Sequence, residues 1–195
     1  MVSAFQYKLY NFVKTKNLTA IKKLLFLVLG AFFGISVHAQ STVYFTSEIS
    51  AESLVKIYQA LGVTPQGKVA IKISTGESMQ SNYLKPELIK NLVEETNAML
   101  VECNTMYSGN RSSTASHKKA IAQRGFNDIA QVDIMDEKGE MEIPMTDTTH
   151  LKVNIVGSRL ANYDFMINLA HFKGHTMGGF GGVIKNQSIG GASRR

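Results

Sequence analysis

One cysteine, Cys103, stands in the 195 residues, and that scarcity excludes an internal disulfide framework. It also excludes the four-cysteine ligation of common iron–sulfur clusters within this chain alone. Cys103 falls near the end of an expected strand, where a small half-buried side chain is the ordinary role; a reactive thiol needs a neighbouring cation or a helix N-terminus. Acidic residues are missing from residues 1–39, which carry Lys8, Lys14, Lys16, Lys22 and Lys23. The formal charge of +6 therefore belongs largely to that stretch, because the remaining basic residues nearly balance the 15 acidic ones. No nucleic-acid partner is expected for the rest. Long apolar runs are absent too: Leu24–Val37 gives fourteen residues without a charge, short of the roughly 20 that cross a bilayer.

What the N-terminal stretch does have is the order of an export signal. A basic region ends at Lys22-Lys23, the uncharged run follows, and Val37-His38-Ala39 suits a signal peptidase site before Gln40. The expectation is an exported protein, periplasmic or extracellular, with residues 1–39 removed and no stable membrane span afterwards. No repeat, low-complexity tract or Pro/Gly linker divides the remainder, so residues 43–195 read as one domain.

That domain alternates strand and helix patterns. Val43–Thr46 reads as a short strand, and Ser50 caps a helix running to about Leu61, stopped by Gly62. Lys68–Ser74 alternates Val69, Ile71 and Ile73 with Lys68, Ala70 and Lys72, the pattern of a half-buried strand. Pro86 opens a helix with a stripe of Leu88, Ile89, Leu92 and Val93. Met99–Glu102 is a third strand, and Ser113 to Arg124 a third helix ended by Gly125. Val132–Met135, Glu140–Met145 and Leu151–Val156 are short strands, Asp136–Gly139 a turn and Ser158–Asn162 a short helix. Phe165–Ala170 is an apolar run expected to be a buried strand. The fold class is α/β: a mixed, mainly parallel sheet flanked by helices, with a short antiparallel insertion near residues 131–156.

Three loops follow expected strands: Thr75–Asn82, Asn104–Ser112 and His171–Gly182. With parallel strands they converge on one sheet edge, where open α/β sheets bind ligands. The last loop is the richest. His171–Gly191 holds His171, His175, Lys173, Lys185 and Asn186 among seven glycines. His171 or His175 suits acid/base work, since imidazole titrates near neutrality, and the pair would admit a metal ion. Phe172 stands where a HExxH metalloprotease needs glutamate, so that class is excluded. Lys185 joins the histidines as a catalytic candidate. Lys173, Gly181, Gly182, Asn186, Asn104, Arg111 and Glu77 are the ligand-binding candidates, with positive charge for an acidic ligand and glycines for φ > 0 or close backbone approach. Gly179–Lys185 has the glycine density of a phosphate loop without Walker spacing. His117, between Ser116 and Lys118, reads as a surface residue.

His171–Asn186, HFKGHTMGGFGGVIKN, resembles the hallmark stretch of the domain-of-unknown-function 362 family, bacterial and archaeal proteins often described as iron–sulfur centre proteins. Asn104–Arg111, with His117 and Gly125-Phe126 beyond, is similar to a second family stretch. Lys72–Tyr83 followed by Lys85-Pro86-Glu87 is similar to a third. The resemblance covers about residues 43–193. Many family members carry a ferredoxin-like module with two four-cysteine clusters, which this chain lacks. The family also tends to have Gly-Cys-Ala-Ser-Arg, then more chain, where this one reads Gly190-Gly-Ala-Ser-Arg194 and stops at Arg195. The resemblance thus implies a ligand- or metal-binding component of a redox system whose ferredoxin-like, electron-carrying partner is a separate polypeptide or missing. The alternative is an enzyme acting on a small anionic metabolite through histidine chemistry. A C-terminally truncated, non-functional copy is the third reading.

Overall fold

The computed structural model describes residues 41–194. Contacts divide the chain into Met1–Val43 and Tyr44–Arg195, and every element below lies in the second unit. The expected signal segment and its cleavage site lie outside the described residues.

Local signals fix the helices. Ser50 caps α1 (Ala51–Ala60) reciprocally: its hydroxyl accepts the Ser53 N–H at 3.1 Å, and the Ser53 hydroxyl accepts the Ser50 N–H at 3.2 Å. Such a cap stabilises a helix by about 1 kcal/mol. Pro86 opens α2 (Pro86–Thr96), where its missing N–H leaves no bond unmade. Ser113 caps α3 (Thr114–Gln123) by accepting the Ser116 N–H. Gly62 and Gly125 follow α1 and α3 in left-handed conformations.

Four short strands, β1 (Val69–Lys72), β2 (Met99–Glu102), β3 (Val132–Ile134) and β6 (Phe165–Asn168), form one parallel sheet in the order β3-β2-β1-β6. The chain winds one way from β1 through α2 and α3 to β3. It then makes the antiparallel pair β4 (Glu140–Pro144) and β5 (Val153–Gly157) and a 3-10 turn at Ser158–Asn162, and returns to the other side of β1. The winding direction therefore reverses between β1 and β6, which leaves a crevice at their C-terminal ends. Beyond β6 come a hairpin, β7 (Lys173–His175) and β8 (Gly179–Gly181), and a short helix α4 (Val183–Gln187).

Both faces of the sheet are covered. Val69, Ile71, Ile73, Leu100 and Ile134 pack with Tyr58, Ile89, Leu92, Val93, Ile121 and Phe126 in the larger core. Ala70, Val101, Cys103 and Met135 form a smaller core with Leu160, Tyr163 and Met166 on its margin. Burying a side chain such as Ile71 or Leu100 contributes about 1.5–3 kcal/mol.

Several expectations change. Val43–Thr46 forms no strand; Val43 and Phe45 stand 86% and 88% exposed, and β-propensity without a partner does not make a ladder. Phe165–Ala170 is not a buried strand: β6 ends at Asn168 and is half-buried throughout, because it lies at the sheet's edge. Val132–Ile134 joins the parallel sheet, so the antiparallel insertion is β4 and β5. β1 is buried at all four positions, since a sheet covered on both faces has no solvent side. His171–Gly182 is a hairpin more than a loop.

Candidate functional site

The C-terminal strand ends place three polar groups at the crevice: Lys72 closes β1, Glu102 closes β2 and Asn168 closes β6. A cavity of about 430 Å³ opens above them, within the range usual for small-molecule sites. Glu77, Asn104, Arg111, His171, Lys173, His175, Gly181, Gly182, Lys185 and Asn186 all line it. The three loops therefore meet, as parallel strands require. Glu77 and Asn186, 109 positions apart in sequence, face one space.

The floor is a charged network that the sequence pattern conceals. Lys72 is 1% exposed, and its ammonium donates to Ile73 O at 2.6 Å, Glu102 Oε2 at 3.0 Å and Asn186 Oδ1 at 3.1 Å. Those three acceptors use all three N–H bonds. The other carboxylate oxygen of Glu102 accepts from the Thr75 N–H at 2.8 Å and from Arg111 Nη1 at 3.1 Å. Arg111 reaches on to Glu77 and, at 3.2 Å, to the Tyr107 hydroxyl, which itself donates to Glu77 at 2.6 Å. Burial alone would raise the Glu102 pKa, but the Lys72 and Arg111 cations outweigh it and hold the carboxyl at about 2. Burial likewise opposes ionisation of Glu77, yet the Tyr107 hydroxyl and Arg111 keep its carboxyl below the ordinary range. Burial and the bond to Glu77 push the Tyr107 phenol up. The Arg111 Nε–H is buried with no acceptor among the described residues.

The hairpin and α4 supply the upper wall. Lys173 and His171 are exposed and His175 half-exposed. The His175 Nδ1 accepts the Gly178 N–H at 3.1 Å, bracing the hairpin turn and leaving Nε2 for other chemistry. Asn186 does more than line the cavity: its amide donates to Lys72 O at 3.1 Å and Asn168 Oδ1 at 2.8 Å, pinning α4 to the strand ends. Gly181 and Gly182 do not have positive φ; within the hairpin that conformation belongs to Gly179, at φ +67. A Cβ at Gly181 would meet only ordinary contacts, the nearest Lys185 Cδ at 3.5 Å.

Among the described residues no group of three or more His, Cys, Asp or Glu side chains is placed to hold a metal ion. His171 and His175 offer two nitrogens at most. Nor do the residues fit the iron–sulfur cluster that the resemblance brings to mind: four thiolates are needed, and Cys103 is the sole cysteine. Cys103 is 3% exposed, donates to Gly191 O at 3.5 Å and has its thiol pushed up to about 12 by burial.

Sequence reasoning missed Lys72, Glu102, Thr75, Tyr107 and His117. Lys72 sat on the expected solvent face of an alternating strand; a lysine in the last position of a parallel strand was the available signal. His117 is not a surface residue but fully buried, because α3 turns that side to the Thr75 and Asn104 loops.

An open parallel α/β sheet with a polar cleft at its winding reversal defines the class: an α/β domain wound in both directions from its first strand. Residues 69–195 match the family described as Domain of unknown function (DUF362), and the chain belongs to it. No curated protein and no solved structure matches the chain.

Proposed function

We propose that this domain binds a small anionic ligand in the cleft, with His171 and His175 supplying acid–base chemistry to it. One observation carries the reading. Lys72, Arg111, Lys173 and Lys185 line the cavity against only Glu77 and Glu102, and both carboxylates are already held by Arg111, Lys72 and Tyr107. The surplus charge is that of Lys173 and Lys185, and Arg111 keeps a buried N–H in need of an acceptor. A charge-assisted bond to that group contributes about 1.5–3 kcal/mol.

The half-exposed His175 keeps Nε2 available beside the lysines, so a proton and an anion can be handled on one wall. Within a redox system of the kind the resemblance implies, this chain's share is the ligand, and electrons would pass through a separate ferredoxin-like partner.

The test is calorimetric titration of the folded chain with sulfate and with acetate. Saturable binding is expected, weakened by Lys173→Ala, Lys185→Ala, His171→Ala and His175→Ala with circular dichroism unchanged. The two histidine effects should combine less than additively, as residues of one site do. Absence of binding, or binding indifferent to all four changes, defeats the reading.

A further inference from the structure

The ligand reading leaves the buried His117 unused. His117, on α3, has a partner at each ring nitrogen: Nδ1 lies 3.3 Å from Asn104 Oδ1 and Nε2 lies 3.2 Å from Thr75 Oγ1. The Asn104 amide nitrogen faces Asp136 Oδ1 at 3.3 Å and Thr114 Oγ1 at 2.9 Å. A carboxylate oxygen accepts and does not donate, so the NH₂ belongs on that side and Oδ1 towards His117. His117 Nδ1 therefore carries the hydrogen, and in the neutral ring Nε2 is an acceptor. The donor facing it is the Thr75 hydroxyl, whose oxygen also lies 3.1 Å from Glu102 Oε1. One hydroxyl hydrogen cannot serve both.

We propose that His117 is a positioning residue for the cleft, which through the Thr75 hydroxyl sets the hydrogen bonding of Glu102 and so of Lys72 and Arg111. With His117 neutral, Thr75 turns to the ring, and Glu102 Oε1 keeps the Thr75 N–H and Arg111 Nη1. With a proton taken from water onto Nε2, the ring donates to Thr75 Oγ1 and the hydroxyl hydrogen turns to Glu102. No covalent bond to carbon changes; one proton enters and one hydroxyl rotates. Charged groups face the ring from every neighbouring element: Glu102 on β2, Arg111 ahead of α3, Asp136 after β3 and Lys72 on β1. Burial, Arg111 and Lys72 favour the neutral ring against Glu102 and Asp136. An anion that neutralises Arg111 shifts that balance towards the protonated ring, so ligand binding and proton uptake are linked. This last link rests on the anion reading above; the relay itself does not.

The experiment is nuclear magnetic resonance on the whole folded chain, labelled with ¹⁵N and ¹³C. Above the histidine range, long-range ¹H–¹⁵N spectra should show His117 as the Nδ1–H tautomer. As pH falls, the Glu102 carboxyl carbon should move with the His117 midpoint. Thr75→Val should lose most of that response, and Thr75→Ser, which keeps the hydroxyl, should restore it. An Nε2–H tautomer overturns the proposal, as does a Glu102 response in Thr75→Val equal to that of the unaltered chain. Inorganic sulfate forms the second arm and should raise the His117 midpoint. Bound sulfate with an unmoved midpoint removes the link. No sulfate binding beside an intact Glu102 response retires the anion reading and leaves the relay standing.

Discussion

Lys72 and Asn186 hold each other reciprocally across 114 positions of chain: the lysine ammonium donates to the Asn186 amide oxygen, and the Asn186 amide nitrogen donates to the lysine's own carbonyl, each at 3.1 Å. The same amide nitrogen also reaches Asn168 Oδ1. One side chain thus joins β1, the end of β6 and α4.

Asn186→Ala should cost about 1–3 kcal/mol, because it leaves a buried ammonium N–H without its acceptor and takes from Lys72 O one of its two donors, the other being the Leu169 N–H. Urea unfolding measures the loss. Hydrogen exchange should show α4 opening more readily than β1 or β2, since the sheet keeps its own ladder.

Glu102→Gln should be more damaging, by about 3–5 kcal/mol, because Lys72 remains a buried cation without its counter-charge and Arg111 keeps only Glu77. Replacing the pair together, Lys72→Met with Glu102→Leu, should recover much of that stability while weakening sulfate binding. Chemical denaturation and sulfate titration read the two effects apart.

Acid should unfold the domain in two stages. His117 has its pKa lowered below 6.5 by burial, with Arg111 and Lys72 adding to it. The unfolded chain therefore takes up that proton first, so stability is full above about 6.5 and falls as pH drops through the folded value. Glu102, held at about 2 against an ordinary 4.5, contributes stability that is present above about 4.5 and is lost as pH falls towards 2. His117→Gln should remove the first stage alone, seen as a flat urea midpoint across it.

In the hairpin, Gly179→Ala should cost about 1 kcal/mol, because a Cβ is strained at φ +67. Gly181→Ala should leave the fold intact. Thermal unfolding of both variants checks the contrast.

The elements that were legible in the chain are those fixed by local chemistry. Ser50 and Ser113 mark helix starts by their own capping bonds, Pro86 marks one by its ring, and Met99–Glu102 is bounded as its apolar run indicates. The convergence of Glu77, Asn104, Arg111 and the terminal motif followed from assuming parallel strands. What stayed hidden depends on distant parts of the chain. Lys72 and His117 have polar neighbours in sequence, and their burial is imposed by α4 and by the Thr75 and Asn104 loops. Val43–Thr46 has the composition of a strand, and no neighbouring strand engages it among the described residues.

The Lys72–Asn186 clasp also has a temporal side. A ribosome delivers Lys72 long before Asn186, so a nascent sheet of β1, β2 and β3 must carry that ammonium with one acceptor still unmade. Glu102 arrives in the interval and partners the charge, which lets the early strands assemble in the order in which they emerge. The cleft, by contrast, cannot take its final form until α4 has been released.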